Sequence, residues 1–183
     1  MKQRHLSAAD IGRICDNSPG DLVVVSGGEP FEHPDLGSIL AVFDIRQHAF
    51  RIATGGHIDL SPWMQRLQGC SSLDGVSVGT DVILETHAAN RRQWHSNILR
   101  LRDAAIPVSM TFTAYCGLNS DHIMQIREVL ASLGEIDFLD FFYVVKRDSR
   151  VAKALKGILM SRFPGIRIVE DDGPRDWQPR VPS

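Results

Sequence analysis

The sequence has few cysteines, and their spacing excludes the common cysteine-based sites. Its three cysteines, Cys15, Cys70 and Cys116, lie far apart and form no CxxC or other metal-type pattern. An odd, scattered set of cysteines favours a reducing compartment over a disulfide framework. We therefore expect a cytoplasmic protein.

Long apolar runs and an excess of one charge are also missing. No run approaches the roughly 20 apolar residues that a membrane-spanning helix needs, and the start, MKQRHLSAAD, lacks the apolar core of a secretion signal. The net charge of -2 and the pI of about 6.4 give no electrostatic reason to expect a nucleic acid. We expect neither a membrane nor a nucleic acid as partner.

What the sequence does contain is a regular alternation of strand and helix patterns. With 183 residues, 43% of them hydrophobic, the chain can build one sizeable core. Strands are predicted over 22–26, 50–54, 75–78, 108–113 and 138–145, with a last short one over 166–169, and helical patterns separate them. The polar stretch 85–95 is predicted to be a loop before a helix over 96–105. Alternation of this kind is typical of βα units on a parallel sheet.

The predicted fold class follows from that alternation. It is α/β, a partial (β/α) barrel of about five to six parallel strands, which is too few for a closed eight-stranded barrel. We expect one domain over residues 1–170 and an irregular tail over 171–183. Because the pattern begins with a helix, we also expect that a preceding strand of the array is missing.

The stretch 21–36, DLVVVSGGEPFEHPDL, carries the clearest local signal. A continuous apolar run bounded by glycines favours a strand that is buried on both faces. Gly27 and Gly28 free the backbone for positive φ or for close approach by a ligand. Glu29 then places a carboxylate at the carboxyl end of the strand, where parallel α/β folds bind ligands. Pro34 is predicted in the first turn of the next helix.

The turn from Ser26 to Pro30, at the end of a strand and before a proline-initiated helix, resembles that of the radical S-adenosylmethionine (radical SAM) superfamily, in the branch of activating enzymes and peptide maturases. The resemblance implies that Glu29 binds the ammonium group of SAM, beside backbone contacts from the two glycines. Weaker matches occur in and after later predicted strands and include Thr54, Ser77 and Asn119. Together they imply the cofactor-binding residues Ser26, Gly27, Gly28, Glu29, Pro30, Thr54, Ser77 and Asn119.

The sequence departs from this family at the cluster-binding loop. Family members carry a Cys-x-x-x-Cys-x-x-Cys loop whose thiolates hold a four-iron, four-sulfur cluster. That spacing occurs nowhere in these 183 residues. We therefore expect that the chain alone neither holds the cluster nor cleaves SAM reductively, and no catalytic residue is assigned.

Two functions remain open from the resemblance. The chain is a fragment or split part of a radical SAM enzyme, catalytic only as part of that whole, or a degenerate, non-catalytic relative that binds a small molecule, a peptide or a protein. The substrate of such an enzyme is expected to be a small molecule or a peptide. A sheet that lacks its first strand exposes an edge at 22–26, so we also expect a homo-oligomer or a partner chain there.

A third function would be metal-dependent hydrolysis or isomerisation. Histidine and carboxylate side chains follow several predicted strand ends, where a barrel would gather them on one face. No compact pair such as HxH or HExxH is present, so solvated loop residues are the simpler interpretation. The candidate ligands are His57, Asp59, Asp81, Glu85, His87 and His95.

Overall fold

The computed structural model describes residues 6–84, 88–114, 118–134 and 137–171. Six strands form one open sheet in sequence order, and every neighbouring pair is parallel. The prediction of an α/β partial barrel of five to six parallel strands is confirmed. The strands are β1 (Val23–Val25), β2 (Phe50–Thr54), β3 (Leu73–Gly79), β4 (Val108–Ala114), β5 (Leu139–Lys146) and β6 (Arg167–Asp171).

Helices alternate with these strands along the chain. They are α1 (Ala8–Asn17), α2 (Leu36–Ile45), α3 (Met64–Gln68), α4 (Ala88–Asp103), α5 (Ser120–Ser132) and α6 (Ser149–Arg162). No helix in the described ranges has the length and apolar character that crossing a bilayer requires. The predicted tail from residue 171 lies outside the described residues, apart from Asp171 at the end of β6.

The core lies between the sheet and its helices. Successive strand residues point to opposite faces, and one set packs under the helices: Phe50 of β2 stacks on Phe43 of α2 with ring centroids 4.3 Å apart. Residues at the equivalent positions of β3, β4 and β5 are almost fully buried, including Val76, Val78, Met110, Phe112, Phe142 and Val144. The opposite face, here called the inner face, carries Arg51, Ser77, Ser109 and Phe141.

β1 corrects the prediction of a strand buried on both faces. Val24 is 52% exposed, and Val23 and Val25 are only half-buried. The reason is its place in the sheet: β1 pairs with β2 on one side, and no other described strand pairs with it. An apolar run alone does not distinguish a central strand from an edge strand.

The start of the helix after the Gly-Gly turn also differs from the prediction. A 3-10 turn, Pro30–Glu32, comes first, with Pro30 at its beginning, and α2 starts only at Leu36. Pro34 therefore lies before the helix. The buried stripe of α2 is nevertheless the predicted one, since Leu36, Ile39, Leu40 and Phe43 are all buried.

The predicted loop over 85–95 is wrong from Ala88 onwards, because α4 begins there; residues 85–87 lie outside the described ranges. Trp94, Ile98 and Leu101 are fully buried at helical spacing. This narrow apolar stripe is enough to hold the helix against the sheet, although the segment is polar in composition.

Candidate functional site

The Gly-Gly-Glu-Pro turn lies at the carboxyl end of β1. Gly27 and Gly28 have φ angles of 96° and 150°, a region that residues with a side chain rarely adopt. Both glycines are exposed, whereas Glu29 is half-buried. The Glu29 carboxylate caps the following 3-10 turn, since its Oε1 accepts a hydrogen bond from the N–H of Phe31 at 3.2 Å.

The end of β2 binds the same carboxylate. The hydroxyl of Thr54 lies 2.8 Å from Oε1 and 2.9 Å from Oε2 of Glu29, and the N–H of Gly55 donates to Oε2 at 3.1 Å. Two of the residues predicted from the sequence, Glu29 and Thr54, are therefore in direct contact. A carboxylate offers about four acceptor positions, so three protein donors fix its orientation and leave it able to accept a further donor.

Asn97 on α4 fixes the loop that follows Gly55. Its side chain is fully buried, and its Nδ2 donates to the carbonyl oxygens of Gly56 at 2.9 Å and Ile58 at 2.6 Å. Its Oδ1 accepts from the N–H of Leu60 at 3.2 Å. Asn97 thus holds the backbone directly beside the Glu29 site. We call Glu29, Thr54, Gly55 and Asn97 the carboxyl-end network.

Trp94, one turn before Asn97, packs the same loop against β3. Its Nε1 donates to the carbonyl oxygen of Gly79 at 2.8 Å. Gly56 has a φ of 77°, and a Cβ there would lie 2.8 Å from Trp94 Cδ1 and 2.7 Å from Val78 Cγ1. Only glycine fits this position, so α4 sets where the loops after β2 and β3 lie.

Sequence reasoning missed Asn97 and the role of Trp94, because it placed Trp94 in a loop. The available signal was the spacing of Trp94, Ile98 and Leu101. An asparagine on that apolar stripe indicates a buried amide with backbone partners, since an unpaired buried amide is costly.

Ser77 and Asn119 have other partners than the Glu29–Thr54 pair. Ser77 lies on the inner face of β3, and its Oγ is 2.6 Å from Oγ of Ser109 on β4. Asn119 caps α5: its Oδ1 accepts from the N–H of His122 at 3.0 Å, and His122 Nδ1 accepts from the N–H of Asn119 at 3.2 Å. Their predicted role at a bound nucleoside stays a prediction.

A second polar network lies across the inner face near the starts of the strands. Arg51, whose side chain is 8% exposed, lies 2.7 Å from the carboxylate of Asp74 and 2.9 Å from that of Asp140. Its Nη1 donates to Ser109 Oγ at 2.8 Å, and its guanidinium lies 5.2 Å from the ring centre of Phe141. We call Arg51, Asp74, Ser109 and Asp140 the amino-end network; sequence reasoning did not identify it.

The candidate metal ligands do not converge in the described part of the chain, where no group of three or more His, Cys, Asp or Glu side chains could hold a metal ion. Asp59 accepts from Ser61 Oγ at 2.6 Å and from Arg100 at 3.0 Å; the hydrogen bonds from Ser61, followed by the charge of Arg100, lower the pKa of this carboxyl. His95 lies 3.3 Å from the carbonyl oxygen of Ser132. The side chains of Asp81, Glu85 and His87 lie outside the described residues.

The described cysteines do not fit an iron–sulfur cluster. Cys15 on α1 and Cys70 after α3 are both buried. Burial raises the pKa of the Cys15 thiol, and burial followed by a hydrogen bond to Asp44 raises that of Cys70 to about 12. Iron is bound by thiolates, and these surroundings favour the neutral thiol. Cys116 lies outside the described residues.

The comparisons with known proteins rest on structure, because no protein-family model and no curated protein matches the sequence. Structures of SuiB from Streptococcus suis do match. SuiB bound to the precursor peptide SuiA has a TM-score of 0.70 at 12% identity over 93% of this chain. SuiB bound to S-adenosylmethionine has a TM-score of 0.69 at 12% identity, also over 93%.

The chain shares the fold of the matched part of SuiB. A further SuiB structure agrees, with a TM-score of 0.66 at 13% identity over 91% of this chain. The chain spans 43% to 45% of the length of the SuiB chains. At such low identity the likeness to SuiB concerns the fold alone and assigns no role to individual residues.

Proposed function

We propose that this chain is a radical-SAM-like protein that binds the ammonium group of SAM at Glu29 and supplies no cluster ligands of its own. It acts as a fragment or split part of a radical SAM enzyme, whose cluster-binding loop comes from elsewhere. Its substrate is a small molecule or a peptide. A reductive reaction of SAM would therefore need that second component.

The observation that carries this proposal is the way Glu29 is held. Three donors, from Phe31, Thr54 and Gly55, orient the carboxylate at the carboxyl end of two adjacent strands. An ammonium group brings three N–H donors and a positive charge, and charge-assisted hydrogen bonds to a carboxylate are among the strong ones. A half-buried carboxylate with its geometry already fixed suits such a ligand.

The surrounding residues have distinct roles in this proposal. Thr54 orients the carboxylate, and Pro30 begins the turn that follows it. Ser26, Gly27 and Gly28 are exposed, so their backbone groups are accessible to the ligand. Ser77 and Asn119 border the nucleoside. The fold likeness to SuiB, of which one structure holds S-adenosylmethionine, is consistent with this assignment.

The cluster enters the proposal only through another component. When bound in a radical SAM enzyme, a four-iron, four-sulfur cluster supplies the electron that cleaves SAM. The two described cysteines are buried thiols on separate elements, so we assign them no iron. Purified chain treated anaerobically with iron and sulfide should show no iron–sulfide charge-transfer absorption.

A second candidate is a non-catalytic relative that binds a peptide or protein through the same cleft. Such a relative needs no cluster at all, which is consistent with the buried thiols of Cys15 and Cys70. The SuiB structure with a bound precursor peptide is consistent with a peptide as the ligand. Binding of SAM distinguishes the two candidates.

The test is titration calorimetry of the purified chain with SAM. We expect the wild type to bind, and Glu29→Gln to bind about tenfold to a hundredfold more weakly, because a charge-assisted hydrogen bond is lost. Glu32→Gln is the matched control: it removes the same charge from an exposed residue of the same 3-10 turn. Unchanged affinity in Glu29→Gln would refute the ammonium site, and a wild type that does not bind SAM would favour the non-catalytic candidate.

A further inference from the structure

A cavity of about 410 Å³ lies along the free edge of β1. Its walls are Val23–Val25, Ile11 and Ile14 of α1, and Leu36 and Ile39 of α2. We call this cavity the edge slot. It lies in the layer of the sheet, next to β1, and it extends to the Gly-Gly-Glu-Pro turn, since Ser26 to Pro30 also line it.

Exposed apolar side chains lie at the edge slot and beside it: Leu6 and Val24 line the slot, and Leu22 directly precedes β1. Leu6 and Leu22 are each 49% exposed and Val24 is 52% exposed. They make up three of the six large hydrophobic side chains that are exposed in the described part of the chain. Exposed apolar surface beside an unpaired strand edge is typical of an interaction site.

The backbone of β1 adds hydrogen-bonding groups to the slot. The N–H of Val23 donates to the carbonyl oxygen of Ala49 on the β2 side. Because alternate residues of a parallel strand direct their N–H and C=O groups to opposite sides, Val24 directs its own pair towards the slot. The slot thus offers the unpaired N–H and C=O groups of one strand residue, next to the apolar side chains of α1.

The helix layer under the slot is already filled. Ile11 and Ile14 of α1 form its floor, and α1 packs against α2. The ligand that fits the slot is therefore one extended strand without an attached helix. A second copy brings more than a strand: two-fold antiparallel pairing through β1 would put both helix layers on the same face, where α1 already lines the slot.

We propose that the edge slot binds a single extended segment of another polypeptide, which adds a strand beside β1. Its side chains are apolar at alternate positions, to contact Ile14 and Leu36. The lining includes two acidic residues, Glu29 and Glu32, and no lysine or arginine. The segment therefore carries a basic residue at the end that lies beside Glu32.

The probe is a short synthetic peptide that alternates valine with threonine and carries lysine at both ends. We expect saturable binding by fluorescence anisotropy and protection of the Val24 amide from hydrogen exchange. Val24→Pro removes the N–H that faces the slot but none that faces β2, and should weaken binding about tenfold. Val24→Thr, which keeps the N–H, should weaken binding less than Val24→Pro does. Ile45→Ser removes an exposed apolar side chain on α2 that is not part of the slot, and it should bind like the wild type.

Several results would overturn the proposal. They are undetectable binding of the peptide, equal binding by Val24→Pro and wild type, and equal binding of a peptide with glutamate in place of lysine. A Val24 amide that is already protected in the free full-length chain would show that the same chain or a second copy covers the edge. SAM affinity measured on the same samples separates this proposal from the ammonium site, since Val24→Pro should lower the affinity for the peptide and leave that for SAM unchanged.

Discussion

The two polar networks of this sheet differ in what they leave available. In the amino-end network, Arg51 is almost fully buried and lies between the carboxylates of Asp74 and Asp140, with Ser109 as a further acceptor. A cation there already has its counter-charges. In the carboxyl-end network, the donors that the described residues supply to Glu29 are neutral: two backbone N–H groups and one hydroxyl. Its negative charge lacks a cationic partner among these contacts.

The difference separates a stabilising network from a binding one on the same strands. Opposite charges that satisfy each other tie β2 to the starts of β3, β4 and β5. A carboxylate that is oriented but not neutralised is prepared for an external cation. In parallel α/β folds, ligands bind at the carboxyl ends of strands. In this sheet the network at the carboxyl ends holds the carboxylate without a cationic partner, and the network at the amino ends is the neutralised one. Each prediction below tests whether the division holds.

The largest effect is expected in the amino-end network. Arg51→Met should lower the free energy of unfolding by about 2 to 3 kcal/mol, because it leaves two carboxylates without their cation. This loss is at or below the lower end of the range for breaking a fully buried ion pair. The reason is that the side chains of Asp74 and Asp140 remain 43% and 36% exposed. Urea unfolding measures the loss, and the SAM affinity of the folded protein should not change.

The matched control for this prediction is Arg13→Met. Arg13 pairs with Asp10 on α1, and its side chain is 72% exposed, so its replacement should leave the unfolding curve unchanged. If Arg51→Met were as stable as Arg13→Met, the amino-end network would not be a stabilising one. A fall in SAM affinity would instead connect it with the ligand site.

A smaller effect on stability, with an added effect on binding, is expected from Asn97→Leu. This change leaves the buried backbone groups of Gly56, Ile58 and Leu60 without their side-chain partner, at a cost of about 2 kcal/mol. Because the loop next to Gly55 then loses its support, SAM affinity should fall as well. Urea unfolding and calorimetry on the same samples measure the two effects.

Gln93→Leu is the control on the same helix. Gln93 donates to Asn97 at 3.0 Å and to Asp59 at 3.3 Å but contacts none of those three backbone groups through its amide. It should change stability and affinity less than Asn97→Leu. Loss of stability with unchanged SAM affinity in Asn97→Leu would show that the carboxyl-end network does not extend to α4.

The fold could be predicted because its signals are local. The capping box of Ser7 and Asp10, the apolar stripe of α2 and the short β-branched strands all depend on residues within one or two turns of each other. Alternation of such elements then favours a parallel sheet. The edge position of β1 could not be predicted from local signals, because burial of a strand depends on its neighbours in the sheet.

The networks depend on long-range partners. Arg51 bonds to residues 23, 58 and 89 positions further along the chain, and Glu29 to Thr54 at a separation of 25. No spacing rule connects such residues. Glu29 and Thr54 were both named through the resemblance to radical SAM proteins, whereas Arg51 and Asn97 belong to no such motif and could be found only from the folded chain.

The smallest effect is expected at Asn119, where a helix cap and a predicted binding residue coincide. Asn119→Ala should lower the free energy of unfolding by about 1 kcal/mol, because α5 loses its N-cap, and Asn119→Asp should restore it. If Asn119 also borders the nucleoside, its amide N–H donor matters, and Asn119→Asp should bind SAM a few-fold more weakly at wild-type stability. Equal affinity in calorimetry would leave Asn119 with the capping role alone and would confine the carboxyl-end binding site to the ends of β1 and β2.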